Sequence, residues 1–218
     1  MEPFDLHSAR QLPVAFFARD TITVAREVLG KVLVSHVGDT VTAGRIVETE
    51  AYLGSDDPGS HAATRGITPR NAVMYGPAGR AYVYFTYGNH HMLNLVTEAE
   101  GTAGAVLVRA VEPVAGVGEM EARRGRTGVE CTNGPGKTAA ALGVSRAQNG
   151  SVLGDGPLSL YDAPLPPEAI GTSGRIGLSA GHEAPLRFYL MGNGYVSKGR
   201  IGPRPPKRSA GPERKANA

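Results

Sequence analysis

The chain has 218 residues, of which 41% are hydrophobic and 20% are charged, the composition of an ordinary soluble globular protein. Its single cysteine, Cys131, excludes intrachain disulfides, four-cysteine iron–sulfur clusters and Cys-x-x-Cys zinc sites. The N-terminus has acidic residues where a signal peptide would be basic, and no run approaches about 18 apolar residues. We therefore expect a cytoplasmic protein that does not enter a membrane.

The formal net charge of +3 is unevenly distributed along the chain. Seven of the 23 Lys and Arg residues lie from Lys198 onward, whereas only one of the 20 Asp and Glu residues does. Residues 1–197 therefore hold 16 basic and 19 acidic residues. A basic, Pro-rich end can attract nucleic acid by releasing counterions, and it is also typical of a disordered tail. We predict one domain over residues 1–200 and a disordered basic tail over residues 201–218.

The first predicted elements are a helix and two strands. Asp20 is a suitable N-cap, apolar residues follow at helical spacing, and Gly30 is a suitable stop. The segment KVLVSHV that follows predicts a strand. Next, RIVETEAYL alternates between two faces, with Glu48, Glu50 and Tyr52 on the same one. This strand therefore brings two carboxylates and a tyrosine together.

A long polar loop and a hairpin come next. Residues 54–71 (GSDDPGSHAATRGITPRN) are punctuated by Gly and Pro, and loops of this length commonly display functional groups on a rigid scaffold. The candidates here are His61, Arg65 and Arg70. The segments AYVYFTY and HHMLNLV then flank Gly88-Asn89, a favoured turn pair, which predicts a β-hairpin with an aromatic tip.

The length of the hairpin turn decides whether Tyr84 and Asn94 share a face. A two-residue turn at Gly88-Asn89 pairs Tyr84 with Leu93 and leaves Asn94 on the opposite face. A three-residue turn that includes His90 pairs Tyr84 with Asn94. If both side chains line one pocket, the turn must therefore have three residues or carry a bulge.

The second half of the chain predicts further strands and two helices. A strand that ends before Pro113 is predicted for AVLVRAVEP, and a helix is predicted for residues 117–124. A second helix is predicted in GPGKTAAALGV, between Pro135 and Gly143. As in the first hairpin, a strand, a Gly-Asn pair and a second strand are predicted in PLRFYLMGNGYVS. With 30 Gly and 16 Pro, the chain predicts a single compact α+β domain with a curved antiparallel β-sheet, flanking helices and a protruding β-hairpin.

Glu50 and Arg109 are the strongest candidates for chemistry. A carboxylate that activates a water as general base typically contributes about 10²–10⁴ in rate. Arg109 interrupts the apolar segment AVLVRAV, where an unpaired charge is costly, so it needs a carboxylate partner. Glu50 is a candidate partner, and the ion pair would keep it deprotonated. A purely structural ion pair fits these two residues equally well.

Three other patterns carry less chemistry. Gly136-Lys137 lacks the first glycine of a phosphate-binding loop, because Cys131 stands at that position. The two adjacent histidines of HHMLNLV point to opposite faces of a strand, which disfavours joint binding of one metal. The carboxylates of Glu48 and Glu50 are close enough for the pair of a sugar glycosidase, so that class stays open. We expect no metal and no cofactor.

Six segments nevertheless occur in the order and spacing of one known family: VETEAYLG, RGITPRN, YVYFTYG, VLVRAVEP, GPGK and PLRFY. Over residues 12–197 the chain resembles the alkyladenine DNA glycosylases, also called mammalian-type 3-methyladenine DNA glycosylases, which have bacterial members. The resemblance implies a monomeric, monofunctional enzyme without lyase activity that initiates base excision repair. It would flip 3-methyladenine, 7-methylguanine, hypoxanthine or ethenoadenine out of double-stranded DNA and hydrolyse the N-glycosidic bond.

The resemblance also implies roles for individual residues. Glu50 falls on the general base, Arg109 on the arginine that positions the water, and Tyr87 on the hairpin residue that inserts into the DNA stack. Such a wedge offsets part of the cost of extracting a nucleotide. Candidate contacts to the DNA backbone are Arg65, Arg70 and, at the start of a helix, Lys137.

The implied base pocket has aromatic walls. Tyr52, His61 and Tyr84 match the residues that sandwich the extruded base, and Asn94 matches the position that crowds the 2-amino group of guanine. Because alkylated purines such as 3-methyladenine are cationic, such walls would add about 0.5–2 kcal/mol of cation–π attraction that an undamaged base lacks.

Two alternatives from other classes are a damaged-DNA-binding module that keeps the pocket without catalysis and a sugar-directed glycoside hydrolase. The presence of both Glu50 and Arg109 favours the enzyme over the binding module. The aromatic tip of the hairpin favours DNA over a free sugar as the substrate.

Overall fold

The computed structural model of the chain describes residues 4–6, 8–86, 88–164, 169–199 and 201, with the backbone alone at 64 and 65. Its strands are β1 (Val32–Ser35), β2 (Thr42–Tyr52), β3 (Ala81–Thr86), β4 (His90–Val96), β5 (Ala105–Ala115), β6 (Leu158–Tyr161), β7 (Ile170–Ser173) and β8 (Arg187–Leu190). Its helices are α1 (Thr21–Glu27), α2 (His61–Arg65), α3 (Val117–Arg124) and α4 (Pro135–Ala141). Short 3₁₀ helices cover Val14–Phe16, Ala72–Tyr75, Gly128–Cys131 and Arg146–Gln148.

All of these strands pair in an antiparallel manner within one sheet. The strand order is β3-β4-β5-β2-β1-β6, and β8 pairs with both β2 and β7. The predicted α+β fold with one antiparallel sheet and flanking helices is confirmed. None of the helices in the described part of the chain combines the length and apolar character that crossing a bilayer requires.

Strand β2 lies at the centre of the sheet. β5 pairs along one of its edges, whereas the other edge pairs with β1 over residues 42–45 and with β8 over residues 48–50. Residues 42–51 are all buried, because α1 and α3 also pack against this strand. Any charged side chain on β2 must therefore find its partners inside the protein.

The helix boundaries follow from local chemistry. The carboxylate of Asp20 accepts a hydrogen bond from Thr23 N–H at 2.8 Å and caps α1, and Gly30 lies beyond its end with φ +81°. Pro135 occupies the first position of α4, and Gly143 follows its end with φ +70°. The predicted starts and stops of these two helices are confirmed, as are the helix over 117–124 and the strand within KVLVSHV.

The hairpin has a three-residue connection. β3 ends at Thr86, which pairs with His90 at the start of β4. Gly88 has φ +74°, the left-handed conformation that such a connection requires at one position. Of the two turn lengths considered from the sequence, three residues is therefore the one that occurs, but the turn begins directly after Thr86, one residue earlier than the turn that includes His90.

This shift of one residue changes the cross-strand partners. Tyr84 lies opposite Met92, and Asn94 lies opposite Tyr82, so neither partner considered for Tyr84, Leu93 or Asn94, is the one observed. Side chains two residues apart on one strand still share a face. Tyr84 shares a face of the hairpin with Tyr82 and therefore with Asn94, which lies opposite Tyr82. Tyr84 and Asn94 accordingly line one cavity.

Two predicted segments differ from the structure. β5 continues through Pro113 to Ala115, because the pairing with β2 shifts register at Gly44, where the ladder tolerates a residue without an N–H. In PLRFYLMGNGYVS the first strand forms as β8, but no second strand follows the Gly-Asn turn among the described residues. The chain instead turns back there, and Ser197 binds a carboxylate of β2.

The predicted domain boundary falls at the edge of the described residues. Ile201 forms an isolated antiparallel bridge with Ile176, and residues 202–218 of the predicted tail lie outside the described part of the chain.

We expect Gly44→Ala to lower the free energy of unfolding by about 1–3 kcal/mol, the usual cost of overpacking a core. A Cβ atom at this position would lie 2.5 Å from Val111 Cγ2 and 2.7 Å from Val111 Cβ, within the β2–β5 interface. Urea denaturation followed by circular dichroism measures the change.

Gly118→Ala is the matched control, because a Cβ atom there meets nothing within 4 Å and the residue lies in α3. Its stability should stay unchanged or rise by up to about 1 kcal/mol. Equal midpoints for the two variants would show that the close approach at Gly44 has no energetic consequence.

Candidate active site

Arg109 of β5 bridges two carboxylates of β2. Its Nε donates to Glu48 Oε1 at 2.8 Å, and its Nη1 lies 3.1 Å from Glu50 Oε2. The pairing of β2 with β5 shifts register on both sides of Glu48, and irregularities of this kind re-aim side chains. The predicted ion pair between Arg109 and Glu50 is present, and Glu48 is a second partner that was not predicted.

Glu48 is held by donors on both of its oxygens. Oε1 accepts from Arg109, from Arg187 Nε at 2.6 Å and from Ser197 Oγ at 2.8 Å, while Oε2 accepts from Ser197 N–H at 2.7 Å. Burial raises the pKa of Glu48, but the two arginine charges and the Ser197 N–H outweigh it and hold this pKa below its usual range. Glu48 is therefore a buried, ionised group with a structural role.

Glu50 has a different set of partners. Its Oε2 accepts from the Tyr52 hydroxyl at 2.8 Å, and its Oε1 accepts from the Ile176 N–H at 2.8 Å. Burial and the Glu50 charge raise the pKa of Tyr52 well above its usual value, so the phenol stays protonated and donates. Burial lowers the pKa of Arg109, but the charges of Glu50 and Glu48 more than compensate and keep the guanidinium charged.

An aromatic cavity of about 50 Å³ lies beside this cluster. The four predicted base-pocket residues all line it: Tyr52, His61, Tyr84 and Asn94. The Asn94 amide donates to the backbone carbonyl of Tyr82 at 3.0 Å, which fixes the orientation of that side chain. The structure thus brings together residues from β2, α2, β3 and β4.

His61 packs edge-on against Tyr84, with ring centroids 4.6 Å apart and planes inclined at 72°. Its Nδ1 lies 2.9 Å from the Tyr82 hydroxyl. Burial and, secondarily, the charge of Arg70 lower the pKa of His61. The imidazole in the cavity wall is therefore neutral at physiological pH.

A wider groove of about 390 Å³ shares Tyr52, His61 and Tyr84 with the cavity. Arg109 and Ile176 also line this groove, whereas Glu50 lies fully buried behind these contacts. On its far side α4 packs so closely on the hairpin that a Cβ atom at Gly136 would lie 2.8 Å from the His90 ring. The carboxylate of Glu50 is thus one layer of residues away from the groove.

A second buried ion pair supports the cavity from behind. Arg175 Nη1 donates to Asp57 Oδ2 at 2.6 Å and to the carbonyl of Ala51 at 2.9 Å. Its guanidinium carbon lies 4.8 Å from the centre of the Tyr52 ring. This pair ties the loop that leads to His61 to the end of β2 and to Tyr52.

The candidate DNA-backbone residues have separate surroundings. Lys137 lines the groove, and its Nζ donates to Glu130 at 2.7 Å and to Asn133 at 2.6 Å. The guanidinium carbon of Arg70 lies 5.1 Å from the centre of the Tyr84 ring. Tyr87 and the side chain of Arg65 lie outside the described part of the chain.

Several residues of the site were not predicted from sequence. Arg187 carries the same signal as Arg109, a cation inside an apolar strand, and that signal could have identified it. Arg175 and Ser197 lie in irregular segments, where no local pattern marks a partner for a distant carboxylate. Ile176 contributes its backbone N–H, which no side-chain pattern can reveal.

Comparison with known proteins defines the class. A family model described as Methylpurine-DNA glycosylase (MPG) matches residues 15–194, so the chain belongs to the methylpurine-DNA glycosylase family. This family membership makes it a glycosylase, and it favours the enzyme over the binding module and the sugar hydrolase considered above.

Relatives agree over nearly their whole length. A protein of Chlorobaculum tepidum named "Putative 3-methyladenine DNA glycosylase" is 49% identical over 208 residues, which cover 94% of this chain and 99% of the relative. A protein of the same name from Methanoculleus marisnigri is 50% identical over 192 residues, which cover 86% of this chain and 98% of the relative.

Glu48→Gln should lower the free energy of unfolding by about 3–5 kcal/mol, because removing one partner leaves buried charge uncompensated. The folded-state pKa of Glu48 is lowered, so its stabilising contribution is complete above pH 4.5 and is lost as the pH falls toward the folded value. The stability difference between wild type and variant should therefore narrow below pH 4.5. Urea denaturation at a series of pH values measures both effects.

Glu27→Gln serves as the control, because its 2.7 Å ion pair with Arg19 is solvent-exposed. We expect a loss below about 1 kcal/mol there. Similar losses in the two variants would contradict a special structural role for Glu48.

Proposed function

We propose that this protein, as a monomer, flips alkylated or deaminated purines from duplex DNA into the aromatic cavity and hydrolyses their N-glycosidic bond, with Glu50 as general base. One observation carries the proposal: a buried carboxylate, ion-paired with Arg109, lies directly behind a groove that opens into an aromatic cavity. The names of the two relatives support 3-methyladenine as one substrate.

The contacts favour Glu50 over Glu48 as the base. Four hydrogen bonds from Arg109, Arg187 and Ser197 occupy both oxygens of Glu48. The three groups that contact Glu50 instead belong to residues that line the groove: Tyr52, Arg109 and Ile176. Water in the groove is therefore separated from Glu50 by the single layer that these three groups form.

The proposed reaction needs one proton transfer to the enzyme. The water oxygen forms a bond to C1′ of the deoxyribose, Glu50 accepts the water proton, and the electron pair of the N-glycosidic bond leaves with the purine. A cationic alkylpurine departs as a neutral base and needs no acid, whereas a neutral base such as hypoxanthine departs as an anion that takes up a proton from solvent. Arg109 pairs with Glu50 at 3.1 Å and orients it before attack, which lowers the entropic part of the barrier.

Recognition is proposed to combine stacking with a steric filter. Tyr52, His61 and Tyr84 offer ring surfaces to the extruded base, and the neutral imidazole of His61 adds no charge of its own. Asn94, whose amide is fixed by Tyr82, would crowd a 2-amino group. Tyr87 keeps its sequence-based assignment as the wedge, and the proposed phosphate contacts are Arg65, Arg70 and Lys137.

Glu50→Gln should reduce single-turnover release of hypoxanthine from duplex DNA by about 10²–10⁴-fold, the usual contribution of a general base. The isosteric amide keeps one of the two acceptor contacts, with Tyr52 or with Ile176, and leaves the aromatic cavity unchanged, so binding of the lesion duplex should persist. Product chromatography measures base release, and fluorescence anisotropy measures binding.

Glu119→Gln is the matched control, because Glu119 pairs with Arg123 on α3 and does not line the groove. Its release rate should equal that of the wild type. Undiminished release by Glu50→Gln would remove Glu50 as the base, and tight binding without release by the wild-type protein would contradict the proposed function.

Asn94→Ser should increase excision of guanine-derived bases relative to hypoxanthine, because the shorter side chain leaves room in the cavity for a 2-amino group. The ratio of single-turnover rates for 7-methylguanine and hypoxanthine measures the effect. An unchanged ratio would argue against a steric role for Asn94.

A further inference from the structure

Two walls of the aromatic cavity each carry an arginine. Arg175 lies with its guanidinium carbon 4.8 Å from the centre of the Tyr52 ring, and Arg70 lies 5.1 Å from the centre of the Tyr84 ring. Both distances are within the range of cation–π attraction, about 6 Å. Two of the rings considered for the damaged base are thus already in contact with protein cations.

Each arginine is on the outer side of its wall. Arg175 is fully buried against Asp57 and lines neither the cavity nor the groove, whereas Tyr52 lines both. Arg70 and Tyr84 share a separate surface cavity of about 380 Å³, and Arg70 does not line the base cavity. The base and the arginine would therefore lie on different sides of the same ring.

A cation on one side of a ring weakens the attraction of that ring for a second cation. The first cation draws π-electron density toward itself, and the two positive charges also repel each other across the ring. A neutral purine stacks through dispersion and area burial and loses much less. The effect therefore distinguishes bases by charge rather than by size.

We propose that Arg70, assisted by Arg175, sets the substrate selectivity of the cavity by reducing its preference for cationic purines and so favouring neutral deaminated or ethenoadenine-type bases. This inference rests on the proposed function, because it concerns bases bound against Tyr52 and Tyr84. It modifies the expectation that electron-rich walls by themselves select cationic bases.

The two arginines contribute unequally. Asp57 forms a bidentate ion pair with Arg175 and compensates its charge locally. Arg70 is exposed and takes part in none of the ion pairs among the described residues. Its field extends into the cavity wall, because its charge also lowers the pKa of His61. Arg70 is therefore the residue to test.

The test compares a cationic and a neutral lesion in the same protein. Single-turnover release of 7-methylguanine and of hypoxanthine from otherwise identical duplexes is measured for wild type, Arg70→Gln and Arg70→Lys. Arg70→Gln should raise the ratio of 7-methylguanine to hypoxanthine release by about two- to fivefold, the factor that matches an exposed cation–π contact. Arg70→Lys keeps the charge and should leave the ratio near the wild-type value.

Arg146→Gln is the matched control, because Arg146 is exposed and lines the same surface cavity as Arg70. It should not change the ratio. An unchanged or lowered ratio in Arg70→Gln would overturn the inference. An equal fall in the release rates of both lesions, with a weaker dependence of these rates on salt, would also overturn it, because that result indicates that Arg70 contacts only a phosphate. Release of neither base by the wild-type protein would instead overturn the proposed function and the inference together.

Discussion

The ion pairs of Arg109 with Glu48 and Glu50 are the interaction on which the rest of the structure depends. Each buried charge costs several kcal/mol to desolvate, and only close partners of opposite charge offset that cost. Two carboxylates on β2 therefore require two cations, and the fold supplies Arg109 from β5 and Arg187 from β8. The cluster can form only when these three strands are assembled side by side, which joins the stability of the sheet to the geometry of the site.

On the same strand, two carboxylates that are two residues apart have different sets of partners. Glu48 has donors on both oxygens and fixes Arg109, Arg187 and Ser197 in place. Glu50 is held on the groove side by Arg109 and Tyr52. A preorganised cluster of this kind needs little rearrangement during reaction, which is the main source of electrostatic catalysis.

A second neutral pair, Arg175 with Asp57, gives the cavity its rear wall. It fixes the loop before His61 and contacts the ring of Tyr52, so a structural ion pair also influences the ring that faces the base. Charge compensation in this protein therefore serves the site twice. It pairs Glu50 with Arg109, and through Asp57 it holds the Arg175 guanidinium behind the ring of Tyr52.

The sequence alone determined the features that depend on local periodicity and backbone chemistry. The cap at Asp20, the common face of Glu50 and Tyr52, and the need of Arg109 for a carboxylate all follow from residues close together in the chain. Counting residues on the two strands linked a shared pocket for Tyr84 and Asn94 to a three-residue turn, and the pocket itself was implied by the family resemblance. The same resemblance is the source of the proposal that Glu50 is the base.

Only the tertiary structure decided how distant segments complete the site. Strand order brought Arg187 and Ser197 to Glu48, well over a hundred residues away, and thereby separated its role from that of Glu50. A register shift carried β5 through Pro113, and the turn after β8 led back to the cluster instead of into a strand. Local patterns specify which side chains need partners, but the choice of partner depends on long-range packing, which a single segment of sequence does not contain.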